Sequence, residues 1–441
     1  MKQKIYAALI IVSCVSGIEA DADGAASLPN AEAKTDASDV ASLPTNSLTL
    51  ESVLAEVIAN NPNLKAARAN WQAMELRVSQ EGAWADPRMG VDVERSGTTR
   101  FFTFTDNEWT ISQELPLSGK NRRRAKAAGA EAAAAFAQVD RRRLELVREA
   151  RVAFYNLLNG QKQIELNEKN AELLKQFSEI TRVKYEAGTR MQSDVLMAQT
   201  ELLRNQEARR DLDRQLAEAQ YRLNVLMNRK PDAPLGHTEI VAIPPFNYDA
   251  QAIEGHALVH RPELRVTIQK IAAASARQDV AKRAWIPDPE LRVEARQFNG
   301  GGARIQEYDT GIFFSFPWFN RRKYRAGLEE AKKNRESAEY ELAALEAETR
   351  GLVREHMKRI ETLHHHYTLF RDSVVPLARQ SVEATRIGYN GDKATFLELI
   401  TAQRALQEVE AMQQQHLTDY LKAVAELEAM AGTEGATGER K

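Results

Sequence analysis

Laid over each other at an offset of 204 residues, Gln176–Leu202 and Gln380–Leu406 agree at eight of 27 positions. The identities are Gln176/Gln380, Glu179/Glu383, Thr181/Thr385, Arg182/Arg386, Tyr185/Tyr389, Ala198/Ala402, Gln199/Gln403 and Leu202/Leu406. Further landmarks recur at similar offsets. Asn61-Pro62-Asn63-Leu64 parallels Arg261-Pro262-Glu263-Leu264, Asp86-Pro87 parallels Asp288-Pro289, and Asn121-Arg122-Arg123 parallels Asn320-Arg321-Arg322. Small loop insertions account for the drift. The length would allow two or three unrelated domains. This chain is instead two copies of one ~200-residue unit.

Each copy reads helix, strand, strand, long helix, turn, helix. Only 22 glycines and 14 prolines punctuate 441 residues, which favours long helices. In copy one the spacing predicts a helix over Pro62–Trp84, with Pro62 suited to its first turn. Strands follow at about Met89–Arg95 and Glu108–Leu115. Lys120 to Glu186 contains no proline and two glycines, Gly129 and Gly160. At ~1.5 Å per residue that helix is roughly 100 Å long, more than one globular core needs. A turn near Ala187-Gly188-Thr189 leads into a returning helix over Ser193–Asn228. Leu212, Leu216, Ala219, Leu223 and Leu226 form a coiled-coil seam there. Val147, Ala150, Phe154, Leu157 and Ile164 give the outgoing helix a matching stripe. Copy two repeats the plan, with its long helix from about Arg321 to Ile387 and a kink expected at Pro376.

The strands alternate. Val91 and Val93 are interleaved with Asp92 and Glu94; Leu291, Val293 and Ala295 with Arg292, Glu294 and Arg296; Trp109 and Ile111 with Thr110 and Ser112. That pattern suits a membrane barrel with a wet lumen or a soluble sheet with one solvated face. After residue 20 no apolar run approaches the ~20 residues a membrane helix requires, so a membrane crossing has to be made by a β-barrel. Four strands cannot close one, since about eight is the minimum. Oligomerisation is then required, and three chains supply twelve strands. A formal net charge of −2 excludes bulk electrostatic attraction to nucleic acid. A single cysteine, Cys14, excludes a disulfide framework.

Residues 1–22 fit a secretory signal: Lys2 and Lys4, an apolar stretch from Ile5, and Ala20-Asp21-Ala22 as a small-x-small cleavage site. Ile11-Val12-Ser13-Cys14 also resembles a lipobox, which would end the signal before a lipidated Cys14. Residues 23–46 read as a flexible linker, 47–230 as repeat one, 231–249 as a Pro-marked linker, 250–430 as repeat two and 431–441 as a disordered tail.

The duplicated plan and two turn segments resemble the TolC-like outer membrane factor family. The segments are Tyr185-Glu186-Ala187-Gly188-Thr189 with Asp194-Val195-Leu196-Met197-Ala198-Gln199, and Tyr389-Asn390-Gly391 with Glu398-Leu399-Ile400-Thr401-Ala402-Gln403. Arg261-Pro262-Glu263-Leu264, Pro287-Asp288-Pro289 and Phe316-Pro317-Trp318-Phe319-Asn320-Arg321 look most like its cobalt-zinc-cadmium resistance branch. The resemblance implies a mainly α fold with a membrane β-barrel contribution. Each protomer would be a tandem-repeat, long-helix α-barrel element with four β-strands, and a homotrimer would close twelve. It implies a passive efflux duct in the outer membrane, without cofactor, for heavy-metal cations. Its partners would be a periplasmic adaptor, an inner membrane pump of the resistance-nodulation-division type and outer membrane lipid. A drug or type I secretion duct is the alternative within the family. A periplasmic adaptor or structural coiled-coil protein is the alternative of another class, although an adaptor carries one hairpin where this chain carries two. No nucleophile elbow or HExxH pattern points to an enzyme.

The two helical turns are the implied periplasmic tip: Tyr185, Gly188 and Arg190 in copy one, Tyr389 and Gly391 in copy two. The family's lumen-facing acid falls on Glu398, with Asp194 as its repeat partner. Rings of carboxylates suit a cation-selective constriction, whereas an acid at a helix start is also favoured by the helix dipole alone. A further family aspartate falls on Thr401, and a gating arginine on Ala394, with Arg190 at the equivalent place in copy one. His364-His365-His366 point ~100° apart on a helix and cannot share one ion. His256 and His260 could, but no third ligand is evident, so both groups read as solvated helix faces. The basic runs Asn121–Arg124 and Asn320–Arg325 fall where a barrel rim would meet lipid phosphates; ordinary surface charge is the equal alternative. Phe101, Phe102 and Phe104, in the tip region of the first hairpin, read either as an interfacial or pore-closing aromatic cluster or as a continuation of the strand.

Overall fold

The computed structural model describes residues 47–94, 106–239, 241–244, 249–298 and 305–432. The signal, Cys14, residues 23–46, the Phe101–Phe104 cluster and the tail beyond Gly432 lie outside the described residues.

In chain order the elements are α1 (Leu50–Asn60), α2 (Pro62–Gly82), β1 (Arg88–Glu94), β2 (Asp106–Glu114), α3 (Lys120–Glu186) and α4 (Gln192–Leu226). Copy two follows with α5 (Ala250–His260), α6 (Pro262–Arg283), β3 (Pro289–Gln297), β4 (Glu307–Phe314), α7 (Arg321–Leu369), α8 (Val375–Asn390) and α9 (Phe396–Ala431). Each copy therefore opens with an 11-residue helix, α1 or α5, in addition to the expected plan. Pro62 and Pro262 separate these from α2 and α6: a proline has no N–H to continue the ladder and disfavours helical geometry in the residue before it. Asn61 uses the break. Its side chain accepts from the Asn63 N–H at 2.9 Å, and its Nδ2 donates to the Leu226 carbonyl at 2.9 Å.

The long helix of copy two is not continuous. A single π turn, Phe370–Val374, joins α7 to α8, with Pro376 in the first turn of α8. The missing proline N–H and the clash of its ring with the carbonyl four residues back are absorbed by that wider turn.

The strands form one antiparallel sheet in the order β1-β2-β3-β4. The β2–β3 ladder joins the two copies, pairing Ile111 with Val293 and Trp109 with Ala295. Met89 and Val91 extend the same face on β1, and Tyr308 and Ile312 extend it on β4. Because side chains alternate along a strand, this face is apolar, and Met89, Val91, Ile111 and Ile312 are all exposed on it. The opposite face is charged. Arg296 reaches Glu108 at 3.2 Å and Glu294 at 3.0 Å, and Arg292 reaches Glu294 at 3.6 Å. No helix among the described residues is long and apolar enough to cross a membrane.

At the helical end of the sheet, Asp288 of copy two holds the start of α3 in copy one. Its carboxylate accepts from the Ser118 N–H at 2.7 Å and from Lys120 Nζ at 3.0 Å. The main core joins α1, α2, α3, α4 and α9 through Val53, Val57, Leu64, Phe154, Leu157, Leu223 and Leu421, all buried. The seam residues Leu216, Ala219 and Leu226 pack against it. The connection between the copies is tied down as well: the Leu48 N–H donates to the His237 carbonyl at 2.8 Å. A separate core lies at the turn end of the helices, built from Leu174, Phe177, Ala198, Tyr389, Phe396, Leu399 and Ile400.

Candidate functional site

The two helical turns lie together. In the first, Gly188 adopts φ +72°, the left-handed conformation that closes a helix and that glycine enters without a Cβ penalty. In the second turn the nearby glycine, Gly391, does not take this role. Its φ is −87°, and the left-handed residue is Asp392 at +59°. The repeat offset of 204 pairs Gly188 with Asp392, and short polar side chains such as aspartate tolerate this region. The matching closing bonds run from Thr189 N–H to the Lys184 carbonyl at 3.0 Å and from Lys393 N–H to the Gly388 carbonyl at 2.8 Å.

Asp392 is where the copies lock. Its Oδ1 accepts from Lys184 Nζ at 2.8 Å and from Arg190 Nη2 at 3.2 Å. Lys184 also donates to the Tyr389 carbonyl at 2.8 Å, and Arg190 to the Ala394 carbonyl at 3.0 Å. An arginine of copy one thus bonds the backbone of Ala394, the position in copy two where the sequence lacks one. The Lys184 hydrogen bond and charge, followed by those of Arg190, hold the Asp392 carboxyl below its ordinary range.

Tyr389 lies beneath the lock and is 1 % exposed. Lys184 Nζ stands 4.9 Å and Arg190 Cζ 5.0 Å from its ring centroid, within cation–π range. Phe396 meets the ring edge-on at 5.7 Å. The phenol oxygen has no hydrogen-bond partner among the described residues. Burial first, and the neighbouring Asp194 charge second, push its pKa up. Asp194 is half-buried in the first turn of α4, while Tyr185, the repeat partner of Tyr389, is exposed. One member of the tyrosine pair is a core residue and the other is on the surface.

Glu398 is a capping residue. Its Oε2 accepts from the Thr395 N–H at 2.7 Å, and the Thr395 hydroxyl accepts from the Glu398 N–H at 3.3 Å, a complete capping box at the start of α9. The Thr395 backbone bond first and its hydroxyl second lower the carboxyl pKa. The side chain remains exposed. Thr401, at the place of the further family aspartate, donates its hydroxyl to the Leu397 carbonyl at 2.7 Å.

Sequence reasoning misses two features above the turns. Glu201, 9 % exposed, accepts from Arg404 Nε at 2.9 Å and from Arg204 at 3.0 Å, bridging α4 to α9. Next to it is a buried amide chain: Asn170 donates to Asn205 at 2.7 Å and to Gln407 at 2.8 Å, and Gln403 donates to Asn170 at 2.8 Å. The available signal is the recurrence of Gln199 as Gln403 in the repeat. His365, His256 and His260 are exposed, whereas His364 and His366 are partly covered. His364 packs on Tyr420 at 5.3 Å and His366 on His416 at 5.2 Å, because α9 covers that side of α7. His256 and His260 stack at 4.0 Å. Among the described residues no three metal-ligating side chains converge.

A long-helix chain with a duplicated hairpin, a sheet with one apolar face, and a locked pair of turns define a tandem-repeat, long-helix protein that carries one small amphipathic sheet. Residues 53–229 and 255–433 match the outer membrane efflux protein family, and the chain belongs to it. Membership makes it an outer membrane protein of an efflux family rather than an enzyme. The toluene efflux pump outer membrane protein TtgF of Pseudomonas putida is 22% identical over 290 residues, 63% of this chain. The match spans 60% of that relative's length. Among solved structures, the outer membrane protein VceC of Vibrio cholerae superposes with a TM-score of 0.74 at 17% identity, covering 87% of this chain and 96% of its own. CusC does so with 0.76 at 15% identity, covering 87% and 92%. These likenesses show the fold.

Proposed function

We propose that the protein is a passive trimeric export duct. It works with a periplasmic adaptor and an inner membrane pump of the resistance-nodulation-division type, and its cargo is heavy-metal cations. The observation that carries the duct reading is the sheet: four strands, one exposed apolar face, one charged face, and two edges, β1 and β4, left without a neighbour among the described strands. Lipid offers no partner to the backbone groups at such edges, so they call for closure with other copies. Exposed apolar residues on the helical hairpins, among them Leu203, Leu377 and Leu397, support packing between protomers. Crosslinking in detergent tests this, and a stable monomer in outer membranes overturns it. The metal reading is supported by the branch resemblance and by the tip acids. The toluene-pump relative favours a second reading, apolar organic solvents. A deletion strain challenged with zinc, cobalt, cadmium, copper and toluene separates them.

The Lys184–Asp392–Arg190 lock keeps the entrance narrow. Asp392 has a lowered pKa in the folded tip, so its contribution is complete above the ordinary carboxylate range. That contribution is lost as the pH falls through the lowered value. Single-channel conductance is expected to stay flat from neutral pH down to about 4, the ordinary aspartate value, and to rise only in stronger acid. Asp392→Asn should show the raised conductance at neutral pH. A conductance that climbs between about pH 7 and 5 in the wild type, above the ordinary aspartate range, would remove Asp392 from this role.

In the trimer Glu398 presents three carboxylates at the entrance, with Asp194 behind. Glutamine at this position retains an acceptor for the capping box but carries no charge. Glu398→Gln is thus expected to fold normally while losing cation selectivity and block by multivalent cations in planar bilayers. Unchanged selectivity would leave Glu398 as a cap alone.

A further inference from the structure

Where β4 runs into α7, the side chains change in a fixed order along the chain. The apolar face of the sheet ends at Phe314. Phe316, Trp318 and Phe319 follow, all exposed, with Phe316 and Trp318 rings 5.7 Å apart. Then come Arg321, Arg322, Lys323 and Arg325. Beside this segment lies a cleft of about 480 Å³, lined by Lys282 of α6, by Trp285 in the turn that follows it, and by Trp318, Arg321, Tyr324 and Arg325. No carboxylate among the described residues lines it. Lys282 is paired with Asp279 at 3.0 Å. Among the described residues Arg321 and Arg325 make no salt bridge, although many arginines along the helices pair with a carboxylate three or four residues away. Four cations in the opening turns of a helix also repel one another and oppose its dipole. An anion in the cleft would relieve both costs.

We propose that this cleft binds the headgroup phosphate of an anionic glycerophospholipid. The proposal rests on the outer membrane placement of the sheet. Apolar strand face, aromatic band and cations follow the order of acyl chains, interface and phosphate in a leaflet. The cations fix the phosphate, and Trp285, Trp318 and Tyr324 cover the glycerol and upper acyl carbons.

The test is native mass spectrometry of the purified trimer with phosphatidylglycerol or phosphatidylcholine of matched chains, with and without millimolar inorganic phosphate. Wild type should retain phosphatidylglycerol over phosphatidylcholine by roughly 10–30-fold, the value of two arginines near a lipid surface. The double variant Arg321→Gln with Arg325→Gln should lose that preference. Arg210→Gln with Arg214→Gln, which removes the same charge elsewhere, should keep it. Equal retention of the two lipids, a preference that survives in the first variant, an equal loss in the control, or displacement by free phosphate would each overturn the proposal. Fractionation separates the underlying reading: a wild-type chain absent from outer membranes overturns the placement and the proposal together, whereas a correctly placed trimer without headgroup preference overturns the proposal alone.

Discussion

Val293→Arg is expected to abolish outer membrane assembly. Val293 is the middle residue of β3, between Ile111 on β2 and Thr310 on β4, on the apolar face of the sheet. An arginine facing lipid near the bilayer midplane costs roughly 2–4 kcal/mol, and a trimer carries it three times. Val93→Arg at the end of β1 should be milder, because the cost falls to about 0–1 kcal/mol near an interface. Asp92→Asn, on the charged face, should assemble as wild type. Heat-modifiable trimer on gels after membrane fractionation reads all three. Equal losses from Val293→Arg and Asp92→Asn would show that the two faces do not meet different solvents.

The second large effect is at Tyr389. Truncating a buried aromatic to alanine costs about 3–5 kcal/mol, and Tyr389→Ala also removes the ring that Lys184 and Arg190 flank. The tip should loosen: proteolysis near residues 187–190 and 390–394 should accelerate, and conductance should rise. Tyr389→Phe is the informative partner. The phenol oxygen is buried without a partner among the described residues, and an unmet polar group costs rather than stabilises. Phenylalanine should therefore match or exceed wild-type thermal stability and leave conductance unchanged. A leaky Tyr389→Phe channel would mean that the hydroxyl meets a partner across the trimer.

Much of this architecture follows from local rules that one chain carries in its own order. The absence of proline from Lys120 to Glu186 leaves nothing to stop a helix, and α3 has those bounds. Alternation at Val91, Val293 and their neighbours places apolar and charged side chains on opposite faces, because a strand has period two. Pro376 had to disturb its helix, since it lacks an N–H.

Other features depended on contacts between segments about 200 residues apart, the length of one repeat, to which periodicity is blind. Which residue of the second turn becomes left-handed was decided by how α8 and α9 meet, and it is Asp392, not the nearby glycine. Tyr185 and Tyr389 are equivalent in sequence. Only packing of the second hairpin against the first buries one and exposes the other. The same holds for Arg190, whose partners Asp392 and Ala394 belong to the other copy, and for the amides that join Asn170 to Gln403 and Gln407. A repeat specifies two similar hairpins. Their different environments arise when one is laid against the other, because a single pair of turns cannot bury both of its faces at once.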